Sequence, residues 1–121
     1  MKYIKKFEND TNETEVGDYV SIVSKNYINH LKNHYDEKYL DLLKDFFLNC
    51  PGQIYTTFNN NKIKVIYGFD IPKNVREFFQ YDKNYGYNQI FYLEDINLLA
   101  KTKDELKNKI EIQNNSNKFN L

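Results

Sequence analysis

The 121-residue chain has the length of one ordinary domain and is too short for two. Its 17 basic residues balance 17 acidic ones, which argues against a protein whose main task is neutralising a phosphate backbone, since that needs clustered positive charge. One cysteine, Cys50, excludes an intrachain disulfide and fits a reducing compartment, and no apolar run approaches the roughly 20 residues that span a bilayer.

In chain order, residues 1–15 are polar and charged after Phe7 and read as a flexible lead-in, with a short strand at Lys2–Phe7. The basic start runs into Glu8-Asn9-Asp10 rather than an apolar stretch, so it does not read as a signal peptide. Gly17-Asp18 supplies turn chemistry before a strand expected over about 18–24, with Val16, Asp18, Val20 and Ile22 on one face. The period then changes. Ile28, Leu31, Tyr35, Tyr39, Leu42 and Phe46 recur every three or four residues, which predicts an amphipathic helical insertion over 26–49. Its firm part is about 36–48, and 27–34 stays open between a first helix and a loop. Asp36 and Glu37 suit a helix N-terminus, and Cys50-Pro51-Gly52 ends the helix.

A hairpin follows. Gln53–Phe58 and Lys62–Tyr67 are β-branched and aromatic runs, and Asn59-Asn60-Asn61 is a turn that tolerates left-handed backbone. Ile63, Val65 and Tyr67 share a face. Lys73–Phe79 predicts a short helical turn, residues 81–88 a tyrosine-rich loop, Gln89–Leu93 a strand and 96–100 a last short strand. Thr102 and Glu105 form a capping box that opens a terminal helix over about 103–111. Residues 113–121 are asparagine-rich and read as a disordered tail. One domain is therefore expected over 16–112. The fold class expected is α+β, mainly β: a small half-open β-barrel with an inserted amphipathic helix and a C-terminal helix.

The segments Val16-Gly17-Asp18-Tyr19-Val20, Gly52-Gln53-Ile54, Lys64-Val65 with Asp70-Ile71-Pro72, and Ile96 with Leu98–Leu106 resemble small SH3-like barrel proteins of AT-rich phages and large DNA viruses. The likeness covers about residues 14–106 and departs at the helical insertion. It implies a scaffold for binding proteins or nucleic acid and supplies no catalytic residues. Composition agrees on source: asparagine, lysine, isoleucine and tyrosine, with AT-rich codons, are abundant, and alanine occurs once, at Ala100.

Chemistry-bearing residues are sparse. His30 and His34 stand four apart, the spacing of a zinc pair on a helix, with Asp36, Glu37 or Cys50 as third-ligand candidates. The competing reading is two solvated side chains, and no metal or other cofactor is expected. Cys50 sits at a helix C-terminus, the wrong end for a thiolate. Asp41 and Lys44 suit a surface ion pair, and Glu94-Asp95 point to opposite faces of a strand. Among 11 tyrosines and 9 phenylalanines, Phe46, Phe47, Phe58, Tyr67, Phe78, Phe79 and Phe91 are expected in the core. Tyr81, Tyr85 and Tyr87 with Lys83, joined by Tyr35 and Tyr39 of the helix, are the candidate binding residues, because tyrosine gives contact area at low entropic cost.

The expected function is non-enzymatic: a phage or viral accessory protein, cytoplasmic, that occupies a host or viral partner protein. Inhibition of a host defence system, in the manner of an anti-CRISPR, is one such task. A barrel binding RNA or single-stranded nucleic acid is the alternative, and a small metal-dependent hydrolase using His30 and His34 the third reading. No membrane partner is expected, and the protein is expected to be a monomer or small homo-oligomer.

Overall fold

The computed structural model describes residues 14–119. The lead-in up to residue 13, with its expected strand at Lys2–Phe7, lies outside the described residues. Six strands form one antiparallel sheet: β1 (Tyr19–Ile22), β2 (Gly52–Thr57), β3 (Lys62–Gly68), β4 (Gln80–Asp82), β5 (Gly86–Tyr92) and β6 (Ile96–Ala100). Between β1 and β2 come helices α1 (Lys25–Leu31) and α2 (Glu37–Asn49), and α3 (Lys103–Phe119) closes the chain. The architecture is α+β, with sheet order β4-β5-β3-β2-β1-β6. The expected half-open barrel is not found as a closed sheet: β4 and β6 lie at opposite ends and do not pair.

Strand parity decides what faces where. Val20, Ile22, Ile54, Ile63, Val65 and Phe91 lie on an inner face, covered by Ile28 of α1 and Leu40, Leu43, Phe46 and Phe47 of α2. Phe47 is the hub: its ring meets Phe91 edge-on at 4.9 Å and Phe79 at 5.7 Å. Such pairs add to the burial energy of the rings themselves. A 3₁₀ helix, Lys73–Phe78, closes one side of this core through Val75 and Phe78. Its last carbonyl, that of Phe78, accepts hydrogen bonds from Tyr27 Oη at 2.9 Å and Gln89 Nε2 at 2.6 Å. Gly52 must lack a side chain, because a Cβ there would collide with Val65 and Tyr67.

The opposite, outer face is only partly covered. Leu106 and Ile110 of α3 pack on Ala100, Tyr19 and Leu98, which all belong to β1 and β6. Asn97 donates to Gln113 of the same helix at 3.0 Å and to Ser21 at 3.1 Å. At this end Asp18, 3% exposed, accepts from Lys101 Nζ at 2.9 Å and from the Glu15 amide at 2.9 Å. These two hydrogen bonds supply the partners that a buried carboxylate requires.

Several expectations change. Val16, expected inward beside Val20, is 60% exposed, because it belongs to the turn before β1 rather than to the strand. Phe58, expected in the core, lies past the end of β2 and is exposed. The first helical stretch is a separate short helix, α1. The terminal helix does not stop near 111; α3 continues to Phe119 through most of the expected disordered tail. The Thr102 hydroxyl does accept from the Glu105 amide, at 3.2 Å.

Candidate functional site

The expected tyrosine loop at 81–88 is a hairpin. Asp82 Oδ1 accepts from the amides of Asn84 at 2.7 Å and Tyr85 at 3.2 Å, a side-chain-built turn. Gly86 follows with φ +87, and Asp82 pairs with it across three loop residues. This geometry places Tyr81 directly opposite Tyr87, with rings 5.0 Å apart. Phe69 joins them, 6.2 Å from Tyr81, and the Arg76 guanidinium lies 5.6 Å from the Tyr87 ring centroid. Tyr81 and Phe69 are 59% and 52% exposed. This cluster forms the rim of the helix-bearing face at edge strand β4.

Tyr85 goes the other way. Its ring lies 4.5 Å from that of Tyr55. The ladder between β2 and β3 shifts register between Ile54 and Thr56, so Tyr55 sits at a bulge, 39% exposed. Its phenol pKa is raised, first by hydrogen bonding to Tyr85, then by the charges of Tyr85 and Asp82. Tyr55 therefore stays neutral at physiological pH. Further along the outer face Lys64 pairs with Ile90 and Lys62 with Tyr92, whose ring centroid is 5.3 Å from Lys62 Nζ. Phe58, Asn59, Asn60, Lys62 and Ile90 surround a shallow depression of about 450 Å³. This half of the outer face is the half that α3 leaves uncovered.

The six residues expected to bind thus do not form one site. Tyr81 and Tyr87 stand together, Tyr85 stacks on the outer face, and Lys83 is exposed in the turn between them. Tyr35 packs edge-on against Phe78 at 4.8 Å and belongs to the core margin. Tyr39 is exposed on α2, on the side of the sheet away from Tyr85. Sequence reasoning missed Phe69, Arg76, Tyr55, Phe58, Ile90 and Tyr92. Alternation would have found part of this set: with Ile63 and Val65 inward, Lys62 and Lys64 must point outward.

The residues considered for chemistry are dispersed. His30 lies in α1, but His34 lies beyond Leu31, where the helix has ended, so no common helical face aligns them. Among the described residues no three of His, Cys, Asp and Glu group as metal ligands. The Cys50 thiol pKa is raised, by burial first and by Asp45 second, although Lys103 and Lys107 pull it down. Asp95 is buried and accepts from the Tyr92 amide at 3.1 Å, while Glu94 is exposed. No helix of the described residues is long and apolar enough to cross a membrane. Comparison with protein-family models, curated proteins and solved structures finds no match.

Proposed function

We propose that the protein acts by binding, without catalysis, and that a partner protein docks on the β4–β5 end of the sheet. The observation that carries this reading is the exposure of Phe69 and Tyr81 on one face of the β4–β5 hairpin and of Tyr85 and Tyr55 on the other, with Ile90 further along the outer face of β5. Large apolar side chains exposed close together mark interaction sites, and tyrosines are efficient contact residues. The outer backbone edge of β4 adds unpaired ladder groups that a partner strand can use. Arg76 beside Tyr87 adds a charged anchor, a residue type enriched at binding hot spots. An accessory protein that blocks a component of a host defence system, in the cytoplasm of the host, fits this mode, since blocking needs surface and no chemistry.

We assign the sheet to the SH3-like type. Read from β6, the order β6-β1-β2-β3-β5 sets last strand beside first and then runs as a meander, with the 3₁₀ turn Leu93–Asp95 before β6. That order is the support; β4 and the helical insertion are additions to it.

The test is capture from lysate of the source cells. The wild type should retain one stoichiometric protein that Phe69→Ser/Tyr81→Ser loses by about 30-fold, the size of one hot spot, at unchanged melting temperature. Equal capture by both proteins, or no stoichiometric partner, would sink the reading. A second reading has Lys62 over Tyr92 in its favour, because cations and stacked rings together bind single strands. Retention of RNA in place of protein, weakening steeply with salt, would assign the face to nucleic acid.

A further inference from the structure

We propose that a cleft between β1, α1 and α2 binds a small amphipathic carboxylate of the medium-chain fatty-acid class. The cleft holds about 320 Å³, at the lower end of the roughly 300–1,000 Å³ usual for small-molecule sites. Ile22, Val23, Ile28 and Leu48 give it apolar walls. Lys25, Lys32 and Lys44 line it as well, which puts three exposed lysines at an otherwise largely aliphatic cleft. Lys44 pairs with Asp41 at 3.6 Å, but both side chains are more than half exposed and the pair is weak. Among the described residues Lys25 and Lys32 have no ion-pair partner. Ser24 also lines the cleft, is 4% exposed, and its hydroxyl has no hydrogen-bond partner among the described residues. A buried polar group left in that state calls for a water, an ion or a ligand.

The chemistry of the lining selects the occupant. No aromatic ring lines the cleft, so a nucleobase would find nothing to stack on. A wholly apolar occupant would leave three ammonium groups without use. An alkyl tail on the four aliphatic walls, with its carboxylate among the lysines, satisfies both halves. The cleft lies on the helix-bearing side of the sheet, away from Tyr55 and Tyr85, and the inference does not rest on partner docking.

Titration calorimetry of the full chain with sodium octanoate tests it. One octanoate should bind per chain. Lys25→Glu/Lys32→Glu should weaken binding about tenfold or more, the worth of a charge-assisted contact. Val23→Trp, at a position already 39% exposed, should fill the cleft and abolish binding, with circular dichroism unchanged in both variants. The neutral isostere 1-octanol should bind about tenfold more weakly than octanoate. Absence of saturable octanoate binding, or equal affinity in the variants, would overturn the site, and equal affinity for 1-octanol would overturn its anionic character.

Discussion

The hydroxyl of Tyr67 is buried and has no hydrogen-bond partner among the described residues, while its ring lies 5.2 Å from Phe46 and 5.4 Å from Phe79. Burial pushes its phenol pKa far above the usual 10, with the neighbouring Cys50 adding to the shift. The sign follows from which state binds the proton. Above about pH 10 the unfolded chain ionises this tyrosine and the native chain does not, so stability falls as pH rises. Tyr67→Phe removes both the unpaired hydroxyl and this titration. It should stabilise the protein by about 1 kcal/mol at neutral pH, the low end of the cost of a buried unpaired group. Its stability should also fall less between pH 7.5 and 10.5 (roughly the span across the phenol's ordinary pKa), as urea unfolding would measure. A variant that is less stable at neutral pH would mean that the hydroxyl has a partner after all. Asp18 makes the contrast. Its side chain is buried too, but Lys101 and the Glu15 amide satisfy it, and Lys101 in turn has its pKa raised by hydrogen bonding to Asp18 and Glu15.

Elements differ in how much of their stability is local. The β4–β5 hairpin depends on Gly86, whose φ of +87 suits glycine and whose missing side chain lets the Gly68 carbonyl approach. Gly86→Ala should cost about 1–3 kcal/mol through backbone strain. It should also release the β4 amides that bond to β5 to hydrogen exchange while those of α2 stay protected. Unchanged exchange at β4 would show that the hairpin does not hinge on this residue. The α2 helix draws instead on tertiary packing: truncating the 1%-exposed Phe47 to alanine should cost about 3–5 kcal/mol, a large part of a domain's roughly 5–15 kcal/mol, as a denaturant midpoint would reveal. A loss under 1 kcal/mol would contradict its place at the centre of the core. These differences also explain what was legible in the sequence. The α2 helix shows one strong period over three turns, and the β2–β3 turn shows three asparagines, of which Asn61 does take positive φ. Strand β4 is three residues long, too short for alternation to appear. The end of α3 was missed because residues 113–118 are all polar and carry no stripe to read.

At the scale of the whole molecule, the candidate surface was half legible. The sequence shows that Tyr81, Tyr85 and Tyr87 are close together, but their division between two faces depends on the β4–β5 register and on a turn that carries Tyr85 over the sheet. That the outer face is open at all depends on where α3 docks, a long-range choice made by Leu106 and Ile110. The open face has a further physical consequence. The chain has zero formal net charge and an isoelectric point near 6.7, so little charge repulsion separates copies at neutral pH. Exposed Tyr55 and Ile90 then favour contact between copies. Solubility should pass through a minimum near the isoelectric point, as measured by precipitation with polyethylene glycol across pH. Ile90→Lys adds a charge in the middle of the uncovered face. It should shift that minimum upward in pH and raise solubility several-fold at neutral pH, while stability stays within about 0.5 kcal/mol because the site is on the surface. Arg76→Gln, which removes one positive charge at the other face, should shift the minimum downward without the gain. If both substitutions change solubility only in proportion to net charge, the outer face contributes nothing to self-association. If Ile90→Lys alone gives the gain, the uncovered half of the sheet is the surface through which the molecule meets other proteins, its own copies included.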